Sequence, residues 1–393
     1  MSGRKILITS RIFAPEPSAA SFRLRALAKG LSDAGHDVEV LTVKDSGGHT
    51  EESFEYPVRR WPVKRDSAGY VRGYVSYMSF DLPLFFRVLF RTKPTVVITE
   101  PPPTTGAVVR LACWIRRVPY LYYAADVWAD AAAQTGASAV VLRVLRALEV
   151  WAWSGAAGIL SVSPGVSERL RELGVARPVH TVGNGIDIGR LGTGMSLSAP
   201  LTEPYFVYAG TASEVHGAGI FLESFRAQLE ALGSCRLVFI GGGVDREKLE
   251  RDVEAAGLTD RVLFLPMMRP EELAPWLAHS VASLASVRPG LGYDFAFPTK
   301  LYSSAACGAP MIHSGAGPAR DFLSAEVDGV PLGLSVPFNA EAVGSALRRA
   351  FQKYMEQSPT ERAAHRAAVR EWARDDVSLE GVTDRIEAIV RTI

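Results

Sequence analysis

Short β-branched runs alternate with helix-length segments from the sixth residue onward, and the alternation runs through twice. ILITS (6–10) is followed by a helical pattern at 18–31, read with Phe22, Leu27 and Leu31 on one face and Gly35 as the stop. VEVLTV (38–43), TVVIT (95–99), YLYYAA (120–125) and GILSV (158–162) read as further strands, with helical stretches at 104–117 and 138–153. Strands separated by helices make parallel βαβ units, because a parallel pair needs a crossover of helical length. The pattern breaks at 183–204, GNGIDIGRLGTGMSLSAPLTEP, where glycine, proline and small polar residues predict a linker rather than a packed element. It then restarts with strands at 205–209, 235–241, 262–266, 281–285 and 310–313, and helices at 217–232, 245–256, 270–278 and 299–307. From about 340 the chain is helical by composition, with breaks at SPTE and DDVS. The fold class is therefore α/β with two Rossmann-like domains, expected at 1–195 and 196–375.

The 393 residues suffice for two cores, and a net charge of +1 argues against a nucleic-acid partner. Cys113, Cys235 and Cys307 lie in apolar stretches without metal or disulfide spacing. MSGRKILITS runs straight into a strand, so no signal peptide is expected, and no apolar run approaches the roughly 18 residues of a membrane span. A cytoplasmic location follows as the expectation. Charge is uneven, however. Between Tyr56 and Lys93 eight basic residues face two acidic ones, Asp66 and Asp81, with aromatics interleaved. That window suits an anionic membrane surface, although a solvated loop before an amphipathic helix is the simpler reading.

Ligands of open parallel sheets sit beyond the carboxyl ends of the strands, and two such sheets direct attention to a cleft between them. After the first strand, SRIFAPEPSAASFR places Ser18, Ala19 and Ala20 at a helix start where a ligand could approach the backbone. Asp126, ending a buried-looking strand, suits an anchor for hydroxyls or an acid/base group. GGG at 241–243 reads equally as a close approach to ligand or a tight turn. A nicotinamide fold is excluded, since no G-x-G-x-x-G follows the first strand of either half. Pro298 and Thr299 stand where a helix begins, followed by Lys300; free N–H groups plus an ammonium there suit a diphosphate.

Eight loops fit one family in order: PEP (15–17), GHDVEVLT (35–42), EPPPTTG (100–106), ADVWAD (125–130), SVSPGV (161–166), GNGID (183–187), FIGGG (239–243) and PTKLY…ACGAP (298–310). On these the chain resembles the retaining GT-B glycosyltransferases of family four, group 1 glycosyltransferases, especially the branch acting on polyprenyl-linked saccharides. The resemblance implies two Rossmann-like domains facing across a cleft and a final segment, 376–393, crossing back to the first domain. It implies a nucleotide-diphosphate sugar as substrate, with no cofactor and no metal, and a saccharide or polyprenyl-linked acceptor. Asp126 would be catalytic. Donor contacts would come from Ala19 and Ala20, from Gly210, Thr211 and His216, and from Gly243. Met267 and Met268 would meet the base; Arg288, Asp294, Pro298, Thr299, Lys300 and Ser303 would complete the site.

Departures are equally specific. Where the family places an arginine and a lysine after the second domain's first strand, this chain has Thr211 and His216. Where it places two glutamates with seven residues between them, Phe295 and Ser303 stand, with Asp294 one residue from the first. The reading is a retaining glycosyltransferase, with a UDP-sugar the expected donor. Its rivals are a degenerate nucleotide-sugar-binding protein and a nucleotide-sugar epimerase on the same architecture.

Overall fold

The computed structural model describes residues 3–393 apart from 17, 45–52, 67–70, 72, 135–137, 195–197, 292 and 295–296. The chain divides into two compact units, Met1–Gly185 with Leu379–Ile393, and Ile186–Ser378.

In the first unit the elements are β1 (Lys5–Thr9), α1 (Ala19–Asp33), β2 (Asp37–Val43), β3 (Val58–Trp61), α2 (Tyr74–Phe90), β4 (Val96–Thr99), α3 (Pro103–Arg116), β5 (Tyr120–Ala124), α4 (Trp128–Gln134), α5 (Ala139–Ser154), β6 (Gly158–Ser161), α6 (Pro164–Glu172) and β7 (Val179–Thr181). The strands form one parallel sheet, ordered β3-β2-β1-β4-β5-β6-β7. Leu7, Val97, Tyr122 and Ile159 point into a core closed by α2, α3 and α5. Ile6, Ile8, Val96 and Leu121 point the other way, under α1. Burial on both faces explains why these strands read as continuous apolar runs rather than alternating ones.

The second unit contains α7 (Ile188–Gly194), β8 (Tyr205–Ala209), α8 (Gly219–Ala227), β9 (Arg236–Ile240), α9 (Arg246–Ala255), β10 (Val262–Leu265), α10 (Pro270–His279), β11 (Ala282–Val287), α11 (Lys300–Ala306), β12 (Met311–Gly315), α12 (Ala319–Ser324), β13 (Glu326–Val327), β14 (Val330–Pro331), β15 (Gly333–Val336), α13 (Ala340–Glu356) and α14 (Pro359–Asp376). Its parallel sheet runs β10-β9-β8-β11-β12-β15, and β13 and β14 form a small antiparallel pair.

The final helix, α15 (Leu379–Thr392), returns to the first unit and packs on α1. A Cβ on Gly30 would lie 2.4 Å from the Thr383 methyl, so the glycine sets how closely the two helices approach. His36 Nε2 lies 3.0 Å from a Glu387 carboxylate oxygen, and the Arg385 guanidinium donates to the Val182 carbonyl at 2.9 and 3.0 Å.

Three readings need correction. Phe22 is exposed, and the buried stripe of α1 is Leu24, Leu27, Ala28 and Leu31. A five-residue step turns a helix about 140° past its starting face, so Phe22 and Leu27 cannot share one. The helix expected at 217–232 ends at Ala227. Finally, the stretch 183–204 does hold a packed element. Within α7 Leu191 is buried, and a Cβ on Gly194 would lie 2.0 Å from the Glu271 carbonyl oxygen of α10. Its glycines look like helix breakers, yet the one at 194 is needed because another backbone passes against it. Gly194→Ala should therefore destabilise the second unit by about 1–3 kcal/mol. Hydrogen exchange should show faster exchange in α10 and unchanged protection in β1 and β4.

Candidate functional site

In each sheet the strand order reverses at one central pair, β1/β4 in the first unit and β8/β11 in the second. The carboxyl ends of such pairs are where doubly wound sheets hold ligands.

In the second unit the loops after β8 and β9 are laced together. Gly210 N donates to the Ile240 carbonyl at 2.8 Å, Ala212 N to Gly242 at 2.8 Å, and Asp245 N to Ala212 at 3.2 Å. Gly243, at φ +130°, could carry no Cβ, which would fall 2.0 Å from the Ala212 carbonyl oxygen. The close approach made by the GGG turn is thus to its neighbouring loop.

Lys300 opens α11 beside these loops. Its ammonium donates to the Tyr208 hydroxyl at 2.8 Å and lies 4.0 Å from the centre of the same ring. That hydroxyl in turn donates to the Thr211 carbonyl at 2.9 Å. Among the described residues no carboxylate pairs with Lys300. Burial alone lowers its pKa to about 7, so near neutral pH the amine is poised between its charged and neutral forms. An anion beside it would favour the charged form.

The residues expected around it separate into groups. Gly210 adjoins the Lys300 side chain, with a built Cβ 3.3 Å from its Cε. Thr211 contributes its carbonyl, as above. His216 lies 2.8 Å from the Ser213 hydroxyl through Nδ1; burial first, then the charge of Lys300, lower its pKa to about 4, so it stays neutral at physiological pH. Pro298 is buried and Thr299 exposed, immediately before Lys300. The amides expected to hold an anion there are partly consumed, since Leu301 N and Tyr302 N donate to the Pro298 and Thr299 carbonyls, each at 3.0 Å. Ser303 follows half-buried on α11. Arg288 is exposed and lines a cavity of about 440 Å³ with Glu214, Glu223, Asp245 and Lys248. Asp294 accepts from Gly290 N at 3.1 Å, closing its own loop in a solvent-exposed position. The Met267 side chain is exposed, whereas Met268 packs against the core beneath α7 and α10. Phe295 lies outside the described residues.

In the first unit a polar cluster gathers around Arg23 of α1. Its guanidinium pairs with Glu100, at the end of β4, and donates to the Asn184 side chain. It also stacks over the Tyr123 ring, 4.9 Å from the centre. Both members of the ion pair are only 5% exposed. Removing one would strand a buried charge, which costs about 3–5 kcal/mol. Asp126 is open to solvent, yet the surrounding protein strips enough water to push its carboxyl above the usual range, with Arg23 opposing. Its loop is held by Glu149, buried in α5, whose carboxylate accepts from Trp128 N at 2.6 Å and Ala129 N at 3.0 Å. Arg11, just past β1, is buried with its guanidinium 3.9 Å from the Tyr77 ring centre and 5.9 Å from that of Trp128. Ala20 lies half-buried in the first turn of α1, behind the Ser18 cap whose hydroxyl accepts from Ser21 N at 3.1 Å. Ala19 begins that helix, and its side chain, like Pro17, is outside what is described.

Arg11, Arg23 and Glu100 were not singled out in the sequence. For Arg11 and Glu100 the available signal was positional, since a charged residue directly after an apolar strand lies at the sheet's binding edge; Arg23, inside α1, carried no such signal. The basic window 56–93 is also less uniform than it reads. Arg59 and Arg91 both pair with Glu39, and Arg65 pairs with Glu16, while Tyr70 and Arg72 fall outside the described residues.

The first unit matches the family model for a glycosyl transferase 4-like domain over residues 18–185, and the second that for glycosyl transferases group 1 over residues 203–353. No curated protein matches the chain. Sucrose-phosphate synthase from Thermosynechococcus elongatus superposes with a TM-score of 0.69 at 19% identity, over 99% of this chain and 98% of that one. A glycosyltransferase from Rickettsia africae gives 0.71 at 12% identity, over 100% and 99%. Anabaena HepE, in complex with UDP and glucose, gives 0.65 at 15% identity, over 99% and 100%. These likenesses are ones of fold.

The depressed pKa of Lys300 has a definite thermodynamic sign. Unfolding restores the ordinary value of 10.5, so between about 7 and 10.5 the unfolded chain binds the proton that the folded one has released. Stability contributed at this position is lowest below pH 7 and rises with pH through that window. The unfolding free energy of the wild type, measured against Lys300→Met by urea titration at successive pH values, should rise accordingly.

Proposed function

Matched over both units by glycosyltransferase models, the chain is a group 1 glycosyltransferase, and we propose that it is a retaining enzyme using a UDP-sugar. The observation that carries this reading is Lys300, a half-buried lysine at the strand ends of the second unit that pairs with no carboxylate among the described residues. A diphosphate would supply the missing negative charge, and the ammonium would stabilise the charge that develops on the leaving group. HepE, a structural neighbour, was solved with UDP and glucose, which favours uridine as the base.

In this reaction the bond from the sugar's anomeric carbon to the diphosphate oxygen breaks, and the bond to the acceptor oxygen forms on the same face. The acceptor proton passes to a phosphate oxygen of the leaving group, so no side-chain nucleophile or metal is needed. Gly210, Thr211, His216 and Gly243 would line the donor, Met267 and Met268 would meet the base, and Ser303 would take the ribose. Asp126 would orient a sugar hydroxyl in the first unit, with Arg23 and Glu100 holding its surroundings. The acceptor is a saccharide or a polyprenyl-linked saccharide.

A second reading, a protein that binds a nucleotide sugar without transferring it, is favoured by Ser303. A hydroxyl there replaces a charged acceptor, at a cost of about 1.5–3 kcal/mol to donor binding.

Calorimetry with UDP, GDP and dTDP at pH 8, in buffers of different ionisation heat, tests the carrying observation. Binding should draw a proton onto Lys300; Lys300→Met should abolish the uptake and weaken affinity by about ten- to a hundredfold. Equal proton uptake by the variant would remove Lys300 from the site. Asp126→Asn should lower turnover by about a hundredfold or more with little change in nucleotide affinity or thermal stability. Tight UDP binding with neither transfer nor hydrolysis across an acceptor panel would instead support the second reading.

A further inference from the structure

Three helices cover one face of the first unit's sheet, with α3 between α2 and α5, and their outward stripes are apolar. On α2 the exposed residues Leu82, Phe86 and Phe90 recur every four positions, and Phe90 is 79% exposed. On α3 Leu111, Trp114 and Ile115 share one face, Trp114 being 76% exposed. Along α5, AVVLRVLRALEVWAWS, Val140, Val144 and Trp151 are exposed on the side away from the buried Ala152 and Trp153. A helix that is apolar inside and outside gains nothing from facing water, and exposed patches of this kind mark a binding surface.

The charge on this layer has one sign. The only carboxylates in the three helices, Asp81 and Glu149, are both 0% exposed. Cations surround the apolar stripes instead. Arg110 lies with its guanidinium 4.4 Å from the centre of the Trp151 ring, and Arg143 is exposed on α5. Where α3 and α5 end, a groove of about 820 Å³ is lined by Arg110, Arg117, Arg177 and Trp114, with no carboxylate among its lining residues. Among the described residues no helix is long and apolar enough to cross a membrane, so the surface would lie on a bilayer rather than within it.

We propose that the α2–α3–α5 face of the first unit docks on a lipid bilayer rich in anionic headgroups. Phe90, Trp114 and Trp151 enter the headgroup boundary, and Arg110, Arg117 and Arg177 receive a lipid phosphate. Arginine and tryptophan together suit this depth, one binding phosphate in a fork and the other placing an amphipathic ring at the interface. The inference stands on this surface alone and does not rest on the transferase reading. If the acceptor is lipid-linked, the same face brings the enzyme to it, since α2 begins at the rim where Tyr77 meets Arg11.

Sedimentation of the full chain with vesicles tests it. The wild type should bind phosphatidylglycerol–phosphatidylethanolamine vesicles at least tenfold better than phosphatidylcholine vesicles, and binding should weaken as salt rises. Phe90→Glu with Trp114→Glu should reduce binding to the anionic vesicles at least tenfold. Arg117→Glu with Arg177→Glu should remove the preference for anionic lipid. Circular dichroism melting and UDP affinity should match the wild type, confirming folded variants. Failure of the wild type to bind anionic vesicles at low salt would overturn the proposal, as would undiminished binding by the folded Phe90→Glu/Trp114→Glu variant. So would a wild-type dimer that this variant converts to monomer without any vesicle binding, which would assign the face to a second copy of the chain.

Discussion

A parallel sheet exposes two apolar faces, and each must be covered before the strands are stable. In the first unit one face is closed by α2, α3 and α5, which follow the local βαβ connections. The other has α1 from the amino-terminal part of the chain and needs a second helix to cover Leu121, Tyr123 and Leu160. That helix is α15, which brings Val382, Ile386 and Val390 into the core. The return of the chain is therefore a packing requirement of the first sheet, and the small side chain of Gly30 is the local device that admits it.

The two units handle buried charge differently. In the first, Arg23 and Glu100 neutralise one another, and Asn184 receives a further guanidinium hydrogen bond. Arg23 Nε is nonetheless buried with no hydrogen-bond partner among the described residues, and the guanidinium charge opposes the upward shift of the Asp126 carboxyl. In the second, Lys300 has a hydroxyl and an aromatic face but, among the described residues, no opposite charge. Its depressed pKa expresses that incompleteness, and the neutral state of His216 at the same edge leaves Lys300 as the group able to gain charge when an anion arrives.

Much of the architecture was legible because strands buried on both faces write themselves as apolar runs, and because Gly35, Gly308 and the strand-opening prolines punctuate them. The short edge strands β3 and β7 were not, since VRRW and VHT are too brief and polar to show a period. α7 was hidden for a different reason: the small residues that fit it against α10 are those that usually break helices. Among candidate site residues, Lys300 and the Gly210 loop were readable from their place after a strand. Their energetic character was not, because it depends on Tyr208, ninety-two positions away in sequence. Arg11 was invisible for the same reason, its aromatic partners coming from α2 and α4. An outward-facing valine or phenylalanine also reads like a core residue until the neighbouring helices are in place.

The second unit is inserted, in chain order, within the first: Ile186 N donates to the Val377 carbonyl at 2.8 Å where the chain enters and leaves it. During synthesis the inserted unit has all of its residues before the first unit does. The ordinary amino-to-carboxyl order of domain completion is thereby inverted. Until Leu379–Ile393 emerges from the ribosome, Leu24, Leu27 and their neighbours lack part of their cover. A nascent chain stalled before α15 would carry a finished second unit tethered to an unfinished first one, with the aggregation hazard concentrated at the amino-terminal part of the chain.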